Sequence, residues 1–353
     1  MKRMMKKGFV MFLAMVMLCM TLLTGCGEDP KKTLTVFNYG NYIDPEVLDI
    51  FEEETGIKIK YEEATTPEIL YSKYSAGSIK YDVVCTSDYM LERMIKEDKL
   101  VPYNPDNFEH INNIGQTYWD FAKAFDPTNE YTIPYFYGTV GILYDTTKVD
   151  GDITSWSVLF DGSYSGEIIM MKSMRDAYMM TLKYLGYSIN TTNRDEIDEA
   201  QKLLLAQKKD VQSYFVDETK DELAAGNATM GVVYSGDAFV AMEENDKLDF
   251  VIPKEGTNLW MDSWGITKQC DNMEAAEMFL DFLMREDIAK MNFEFIYYST
   301  PNEAVIEDMD EELKNNEMIV PTDEINARCE VCKMTSEELL EYYNQIWKEL
   351  MAK

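Results

Sequence analysis

Two short segments in the second half of the chain place a carboxylate beside a large aromatic side chain. One is Tyr234–Asp237 and the other is Trp260–Asp262. A carboxylate stabilises an ammonium group by charge-assisted hydrogen bonds of about 1.5–3 kcal/mol each, and an indole or phenol face adds roughly 0.5–2 kcal/mol through cation–π attraction. These residue types suit an organic cation whose charge meets the acid and whose methylene groups meet the ring.

Both segments also have an ordinary structural explanation. Buried Tyr and Trp side chains need partners for their polar tips, and a neighbouring Asp can be such a partner or can cap a helix. The pairing alone does not define a site. The elements that position these residues must therefore be considered.

The N-terminus has the pattern of an export signal. Basic residues at positions 2, 3, 6 and 7 precede an apolar run from Phe9 to Leu23. That run is shorter than the ~20 apolar residues that a spanning helix needs. It ends in Leu-Thr-Gly-Cys, which resembles the site at which bacterial lipoprotein signals are cut.

We therefore expect residues 1–26 to be a lipoprotein signal peptide that ends at a lipidated Cys26. Residues 27–33, which follow it, are expected to form a polar tether. In this interpretation lipid anchors the protein to the cell membrane, facing the extracellular or periplasmic side. The alternative is an uncleaved membrane anchor, which leaves the rest of the chain on the same side.

Length and charge limit the class of protein. The part after the signal, about 330 residues, is longer than a single hydrophobic core supports, so we expect two lobes. The formal net charge of the chain is −31, and the resulting repulsion disfavours nucleic acid as a partner. The same charge raises the local concentration of cations, although solubility explains it equally well.

Residues typical of metal or catalytic sites are sparse. Cys329 and Cys332 form a single C-x-x-C without a second pair or a nearby histidine, which indicates a disulfide or two free thiols rather than zinc. His110 is the only histidine, and neither a nucleophile elbow nor a phosphate-binding loop is present. We expect no cofactor, no metal and no enzymatic activity. A hydrolase that uses only carboxylates, such as a glycosidase, is the alternative that passes this filter.

From Thr33 onwards, strand and helix patterns alternate. Strands are predicted at 33–38, 57–61, 81–85, 141–144, 167–171, 229–234, 250–252 and 264–267, and helices at 44–56, 67–76, 90–96, 175–185, 195–209, 237–244, 273–284, 287–293 and 336–351. The order is βαβαβα and restarts after Gly138. It predicts an α/β protein with two lobes, each a largely parallel sheet covered by helices.

Aromatic and polar residues follow several of these strands. In an open α/β sheet, ligands bind beyond the carboxyl ends of the strands. The segments found there are Asn38–Tyr42, Thr86–Tyr89, Lys172–Asp176 and Tyr234–Asp237. Their shared position favours a ligand site over isolated structural roles.

Seven segments together resemble the spermidine/putrescine-binding family of bacterial polyamine ABC transporters, in the same order along the chain. The resemblance covers about Leu34 to Trp347, and its most specific parts are Phe37–Tyr42, Tyr81–Tyr89, Ile133–Gly138, Tyr234–Phe239, Pro253–Gly256, Trp260–Ser263 and Ser299–Asn302. It implies a type II periplasmic-binding-protein fold, in which two α/β lobes are joined by crossover hinge strands. The implied lobes are 34–137 plus 261–304 and 138–260 plus 305–353.

The resemblance also implies roles for individual residues. Ten ligand-binding residues are implied. Tyr39 and Tyr42 are aromatic residues of the first lobe, and Ser87 and Tyr89 lie on the same rim. The other six are the acids Asp176, Asp237 and Asp262 and the aromatic residues Tyr234, Trp260 and Tyr298. Trp260 and Asp262 are the implied central ring and acid. As alternatives, Ser87, Asp176 and Asp237 can cap their helices, and Asp176 can pair with Arg175.

Two positions depart from the family pattern. Ser173 stands where relatives that prefer spermidine have an acid, and Cys332 stands near a polar contact residue. The presence of Asp237 favours putrescine, but the choice between the two ligands stays open. No role is therefore carried over to Cys332.

The function implied is capture without chemistry. A polyamine, putrescine or spermidine, binds between the lobes of a monomeric receptor, and closure presents the receptor to an ABC permease and its ATPase. Fold alone does not exclude a sensory or adhesive lipoprotein, or a receptor for another organic cation such as thiamine.

Overall fold

The computed structural model describes residues 32–216 and 218–352. The predicted signal peptide, Cys26 and most of the predicted tether lie outside the described residues. The strands are β1 Thr33–Tyr39, β2 Lys58–Ala64, β3 Val83–Ser87, β4 Leu100–Val101, β5 Thr132–Asp145, β6 Ile168–Met171, β7 Val211–Phe215, β8 Met230–Tyr234, β9 Leu248–Val251 and β10 Leu259–Thr267.

Helices alternate with these strands through most of the chain. They are α1 Pro45–Thr55, α2 Pro67–Ala76, α3 Asp88–Lys96, α4 Gln116–Ala122, α5 Met174–Tyr184, α6 Arg194–Gln207, α7 Glu218–Ala224, α8 Ser235–Glu244, α9 Met273–Leu283, α10 Glu286–Ile296, α11 Glu303–Asp308, α12 Glu311–Lys314, α13 Asp323–Arg328 and α14 Glu337–Ala352. The element order confirms the predicted mixed α/β architecture. Within the described residues, no helix is both long and apolar enough to cross a membrane.

Local sequence explains where the first helices begin and end. The Asp44 side chain accepts a hydrogen bond from the backbone N–H of Glu46 and Pro45 opens α1, which then ends at Gly56 with φ 71°. A capping acid, a proline in the first turn and a glycine after the last turn predict this helix, and the structure confirms it. These helices pack on the sheet and hold the strand ends in place.

The strands form one sheet in the order β2-β1-β3-β10-β5-β8-β6-β7, with β4 beside β10 and β9 beside β5. At one end β2, β1 and β3 are parallel, and at the other end β6 is parallel to β7 and β8. Between these parallel groups, β10 and β5 run antiparallel to their neighbours. The two parallel groups therefore meet through a pair of antiparallel strands.

Strand β5 links the two parts of the sheet. It has 14 residues, all of them buried. Its first part, Thr132–Thr139, pairs with β10, whereas Val140–Tyr144 pairs with β8. One continuous strand thus passes from one half of the fold into the other, and the aromatic residues around Gly138 lie at the passage.

Several predictions about the strands need correction. The sheet is mixed rather than largely parallel, because β5 and β10 are antiparallel to the strands beside them. The predicted strand 264–267 is only the end of β10, so Trp260 and Asp262 lie within a strand and not in a loop before it. An acid in a fully buried strand breaks the apolar pattern, which is why the sequence suggested a shorter one.

Candidate ligand-binding site

Asp262 lies in the middle of the sheet. In β10 it pairs with Ser87 of β3 on one side and with Phe136 of β5 on the other, and the register with β5 shifts immediately after it. Asp262 is only 8% exposed. The sheet therefore buries a carboxylate where one parallel group of strands meets the crossing strands.

Nothing in the described chain neutralises this acid. Burial raises the pKa of Asp262 to about 7, and the neighbouring Tyr42 hydroxyl offsets part of the rise. Among residues 32–216 and 218–352, no Lys, Arg or His forms an ion pair with it. Because an uncompensated buried charge is costly, a cation that enters the site stabilises the ionised form and drives the proton off.

Five aromatic rings form a continuous series beside Asp262. The ring of Tyr39 contacts Tyr42, Tyr42 contacts Tyr298, Tyr298 contacts Trp260, and Trp260 contacts Tyr234. The centroid distances in that order are 5.6, 6.0, 5.0 and 5.9 Å, all with edge-to-face geometry. Such a wall offers apolar contact to methylene groups and π faces to cations.

Gly138 creates the space that Trp260 occupies. A Cβ atom at position 138 would lie 2.5 Å from Cζ2 of the indole ring, far inside van der Waals contact. The glycine of β5 is thus required by the close approach of the central ring. The indole Nε1 of Trp260 is buried and has no hydrogen-bond partner among the described residues.

Asp176 is the second buried acid of the site. The Tyr234 hydroxyl donates to its carboxylate at 3.1 Å, and the Ser173 hydroxyl donates to the same oxygen. Burial raises the pKa of Asp176, and these two hydrogen bonds oppose the rise. Ser173, not Asp176, occupies the N-cap of α5, so the capping alternative is wrong for this acid, whereas the charge of Arg175 does lower the pKa of Asp176.

Asp237 differs from the other two acids because a lysine already contacts it. Lys220 Nζ lies 2.8 Å from its carboxylate, and the Tyr298 hydroxyl donates to it at 3.4 Å. It lies in the first turn of α8, whose N-cap position is Tyr234. A ligand ammonium at Asp237 therefore shares the acid with Lys220.

Ser87 and Tyr89 lie at the junction of β3 and α3. Ser87 occupies the N-cap position of α3, but its side chain makes no cap hydrogen bond, and its Oγ is buried without a partner in the described chain. The Tyr89 hydroxyl donates to Glu68 at 2.9 Å, and the Arg175 guanidinium lies 3.7 Å from the centre of its ring. Ser87 is thus open to a donor, whereas one face of Tyr89 is already covered by Arg175.

The structure brings nine of the ten predicted residues into one cluster, and Tyr89 lies beside it with its ring against Arg175. Sequence reasoning missed three further residues: Asp88, Arg175 as the partner of Tyr89, and Lys220 as the partner of Asp237. Asp88 was visible in the chosen segment, between Ser87 and Tyr89. The Lys220 contact had no sequence signal, because the two partners are 17 positions apart on helices separated by strand β8.

Three buried polar atoms of this cluster lack a hydrogen-bond partner among the described residues. They are Ser87 Oγ, Asp88 Oδ2 and Trp260 Nε1. Leaving such an atom unpaired costs about 1–3 kcal/mol. A concentration of unpaired atoms around Asp262 is expected where a ligand supplies the missing partners.

A cavity of about 230 Å³ lies next to the cluster, between α5 and the segment that leads into α14. Arg175 and Cys332 line it, and the guanidinium donates to the Cys332 thiol at 2.8 Å. Cys329 and Cys332 are free thiols, so the disulfide alternative does not apply to this structure. In the described part of the chain, no group of three or more His, Cys, Asp or Glu residues is arranged to hold a metal ion.

The combination of fold and site defines a class of protein. Two groups of parallel strands are joined by the crossing strands β5 and β10, and the acids and rings of the site lie at this crossing. This is the arrangement of a two-lobed solute-binding protein. The model of the bacterial extracellular solute-binding protein family matches residues 46–321, and the chain belongs to that family.

Characterised relatives support this membership over nearly the whole chain. The spermidine/putrescine-binding periplasmic protein of Escherichia coli strain K12 is 34% identical over 297 residues, which cover 83% of this chain and 84% of the relative. The putrescine-binding periplasmic protein SpuD of Pseudomonas aeruginosa is 30% identical over 312 residues, covering 84% of this chain and 85% of that protein.

A solved structure agrees with the fold. The spermidine/putrescine ABC transporter substrate-binding protein PotD of Streptococcus pneumoniae superposes with a TM-score of 0.81 at 34% identity, and the match covers 91% of this chain and 99% of that one. The predicted periplasmic-binding-protein fold is thereby confirmed. Solute-binding proteins of this family are not enzymes, which removes the hydrolase alternative.

Proposed function

We propose that the protein captures a polyamine, putrescine or spermidine, outside the cell and delivers it to an ABC permease. The observation that carries this proposal is Asp262: a buried acid without an internal cation, bordered by a continuous series of aromatic rings. A diamine near neutral pH has a cation at each end and methylene groups between them. Acids for the ends and rings for the middle are the complementary groups.

Specific roles follow from the contacts. Asp262 binds one ammonium, and Trp260 with Tyr298 covers the methylene chain. Asp176, whose carboxylate is held by Tyr234, binds the other end. Asp237 is the weaker candidate, because a ligand has to compete with Lys220 for it.

Capture involves closure of two lobes, with boundaries at 34–137 plus 261–304 and 138–260 plus 305–353. The rings of Tyr39 and Tyr42 belong to the first lobe and those of Trp260 and Tyr234 to the second in this division. A ligand that touches both sets binds the closed arrangement better than the open one, so it shifts the equilibrium towards closure. Small-angle scattering with and without putrescine tests this: the radius of gyration should fall on binding.

Anchoring is a separate part of the proposal. Lipid on Cys26 holds the monomeric receptor near its permease, and the tether lets it move there. The full chain expressed in bacteria should partition into the detergent phase, whereas Cys26→Ser should stay in the aqueous phase or keep its signal peptide. Mass spectrometry of the N-terminal peptide identifies the lipid, and finding an unmodified Cys26 in the mature wild-type protein would contradict this part alone.

The binding function is tested by a thermal-shift panel on the chain from residue 27 onwards. Putrescine, cadaverine, spermidine, spermine, thiamine and basic amino acids are compared. A ligand at a hundred times its dissociation constant stabilises a protein by about 2.7 kcal/mol, which is easily detected. A response to polyamines alone supports the proposal; a response to thiamine or arginine without one to polyamines would replace it.

A further inference from the structure

Asp88 is a buried acid that the ten predicted residues do not include. It is the first residue of α3 and directly follows Ser87, the last residue of β3. Only 1% of it is exposed. One carboxylate oxygen accepts the backbone N–H of Tyr89 at 2.6 Å, and the other, Oδ2, is buried with no hydrogen-bond partner in the described chain.

The position of Asp88 relates it to the central acid of the site. Its neighbour Ser87 stands opposite Asp262 in the pairing of β3 with β10. The hydroxyl of Ser87 is also buried and unpartnered among the described residues. Two carboxylates and one hydroxyl therefore lie near the pairing of β3 with β10, where the internal donors are the Tyr42 hydroxyl for Asp262 and the backbone N–H groups of Tyr89 and Met261 for Asp88.

Electrostatics links the two acids. Burial raises the pKa of Asp88 well above its usual value, the backbone N–H groups of Tyr89 and Met261 oppose this, and the charge of Asp262 raises it further. The charge of Arg175 in α5 lowers the pKa of Asp88. The two side chains form no ion pair, because the guanidinium stacks on Tyr89 and donates to Cys332. Each of the two acids therefore becomes harder to ionise when the other is charged.

We propose that Asp88 is a further ligand acid, which together with Asp262 and the Ser87 hydroxyl binds one primary ammonium group of the polyamine. The inference rests on the proposed function and deepens it. A primary ammonium has three N–H donors, and the three acceptors match that number. A methylated ammonium has fewer donors and carries methyl groups into the same space, so this end of the site selects primary amines over methylated ones.

Proton release follows from the same arrangement. Burial favours the protonated form of both acids in the free site. A bound ammonium favours the ionised forms, so binding is expected to release protons into the buffer. The charged and titratable groups that face Asp88 are Asp262 from β10 and Arg175 from α5, with Cys332 beyond the guanidinium. Arg175 keeps its charge throughout, so the acids supply the released protons.

A purely structural role is the competing explanation. A carboxylate in the first turn of a helix stabilises it through the helix dipole, and Asp88 lies in that position of α3. This role predicts a loss of stability on substitution but no change in which amine is bound. Selectivity and proton release therefore separate the two explanations.

The test uses Asp88→Asn in the chain from residue 27 onwards, with Asp195→Asn as the matched control. Asp195 is an exposed acid in the first turn of α6 and lies outside the site. Calorimetry with putrescine and with N,N,N′,N′-tetramethylputrescine, in two buffers of different ionisation enthalpy, measures affinity and proton release. Asp88→Ser is a second variant in case the amide does not fold, and thermal unfolding without ligand checks both.

The proposal expects Asp88→Asn to bind putrescine about tenfold more weakly or worse, to lose most of the preference for putrescine over its tetramethyl form, and to release fewer protons. Asp195→Asn should match the wild type in all three. Unchanged selectivity and proton release in Asp88→Asn, or an equal loss for both amines, would overturn this inference and leave the polyamine function standing. A wild-type chain that binds neither amine would overturn both.

Discussion

Asp262 and Ser87 face each other across the antiparallel pairing of β10 with β3, at the centre of the sheet. The Ser87 hydroxyl has no hydrogen-bond partner in the described chain, and no ion pair compensates Asp262. Unpaired polar groups at such a position destabilise the folded state. The sheet tolerates them where a bound cation supplies the missing donors, and the predictions below follow from that relationship.

Removing the central acid should weaken polyamine binding strongly. We expect Asp262→Ala to lose at least ~2 kcal/mol of putrescine affinity, since a desolvated ammonium is left without its counter-charge. Titration calorimetry measures the change. Asp120→Ala, which removes a solvent-exposed acid from α4, serves as the control and should bind like the wild type. Near-equal affinities of the two variants would contradict the role of Asp262.

Polyamine affinity should rise with pH across the neutral range. The pKa of Asp262 in the free protein is raised to about 7 by burial, so below that value the acid must lose a proton before it can pair with an ammonium. Affinity for putrescine is therefore expected to increase from pH 6 to pH 8, while the diamine itself stays charged. The increase should be much smaller in Asp262→Asn. An affinity that falls over this range would contradict the assignment.

The close approach of Gly138 and Trp260 makes a repacking prediction. Gly138→Ala should displace the indole, because the added Cβ would lie 2.5 Å from its Cζ2 atom, and both stability and putrescine affinity should fall. Adding Trp260→Phe removes the clashing atoms and should restore most of the free energy of unfolding without restoring affinity. Chemical denaturation checks this pair. Equal free energies of unfolding of the single and double variants would contradict this prediction, because they would show that Trp260 does not clash with the added Cβ atom.

Arg175 should slow ligand release. Its guanidinium covers the ring of Tyr89 at 3.7 Å and so connects α5 with α3 across the site. Arg175→Lys keeps the charge but loses the planar stacking, so we expect faster dissociation of putrescine with little change in association rate, measured by stopped-flow tryptophan fluorescence. Arg93→Lys is the matched control, because the Arg93 guanidinium lies 3.9 Å from the centre of the Tyr71 ring and outside the proposed site; its release rate should stay close to that of the wild type.

Local signals predicted most of the fold. The caps at Asp44 and Gly56 and the alternating apolar residues placed the early strands and helices within a few residues. The crossing strands β5 and β10 were harder to predict from the sequence. Pro134 and Gly138 interrupt the pattern of β5, and Asp262 interrupts that of β10; long-range pairing, which local sequence does not encode, decides both.

The sequence selected candidate residues for the site but not the interactions among them. Position after strands and family resemblance selected ten residues, whose role in ligand binding stays a prediction. The internal cations were not foreseen, because Lys220 reaches Asp237 and Arg175 reaches Tyr89 only after the chain has folded. Asp88 has no distinct sequence signal, because an acid between Ser87 and Tyr89 also suits the first turn of a helix.

A crystal structure of the chain from residue 27 onwards with putrescine tests the central claim most directly. One terminal ammonium should lie about 2.7–2.9 Å from the Asp262 carboxylate, with the methylene chain against Trp260. Putrescine bound in the cavity between Arg175 and Cys332, or bound without contact to Asp262, would contradict the account.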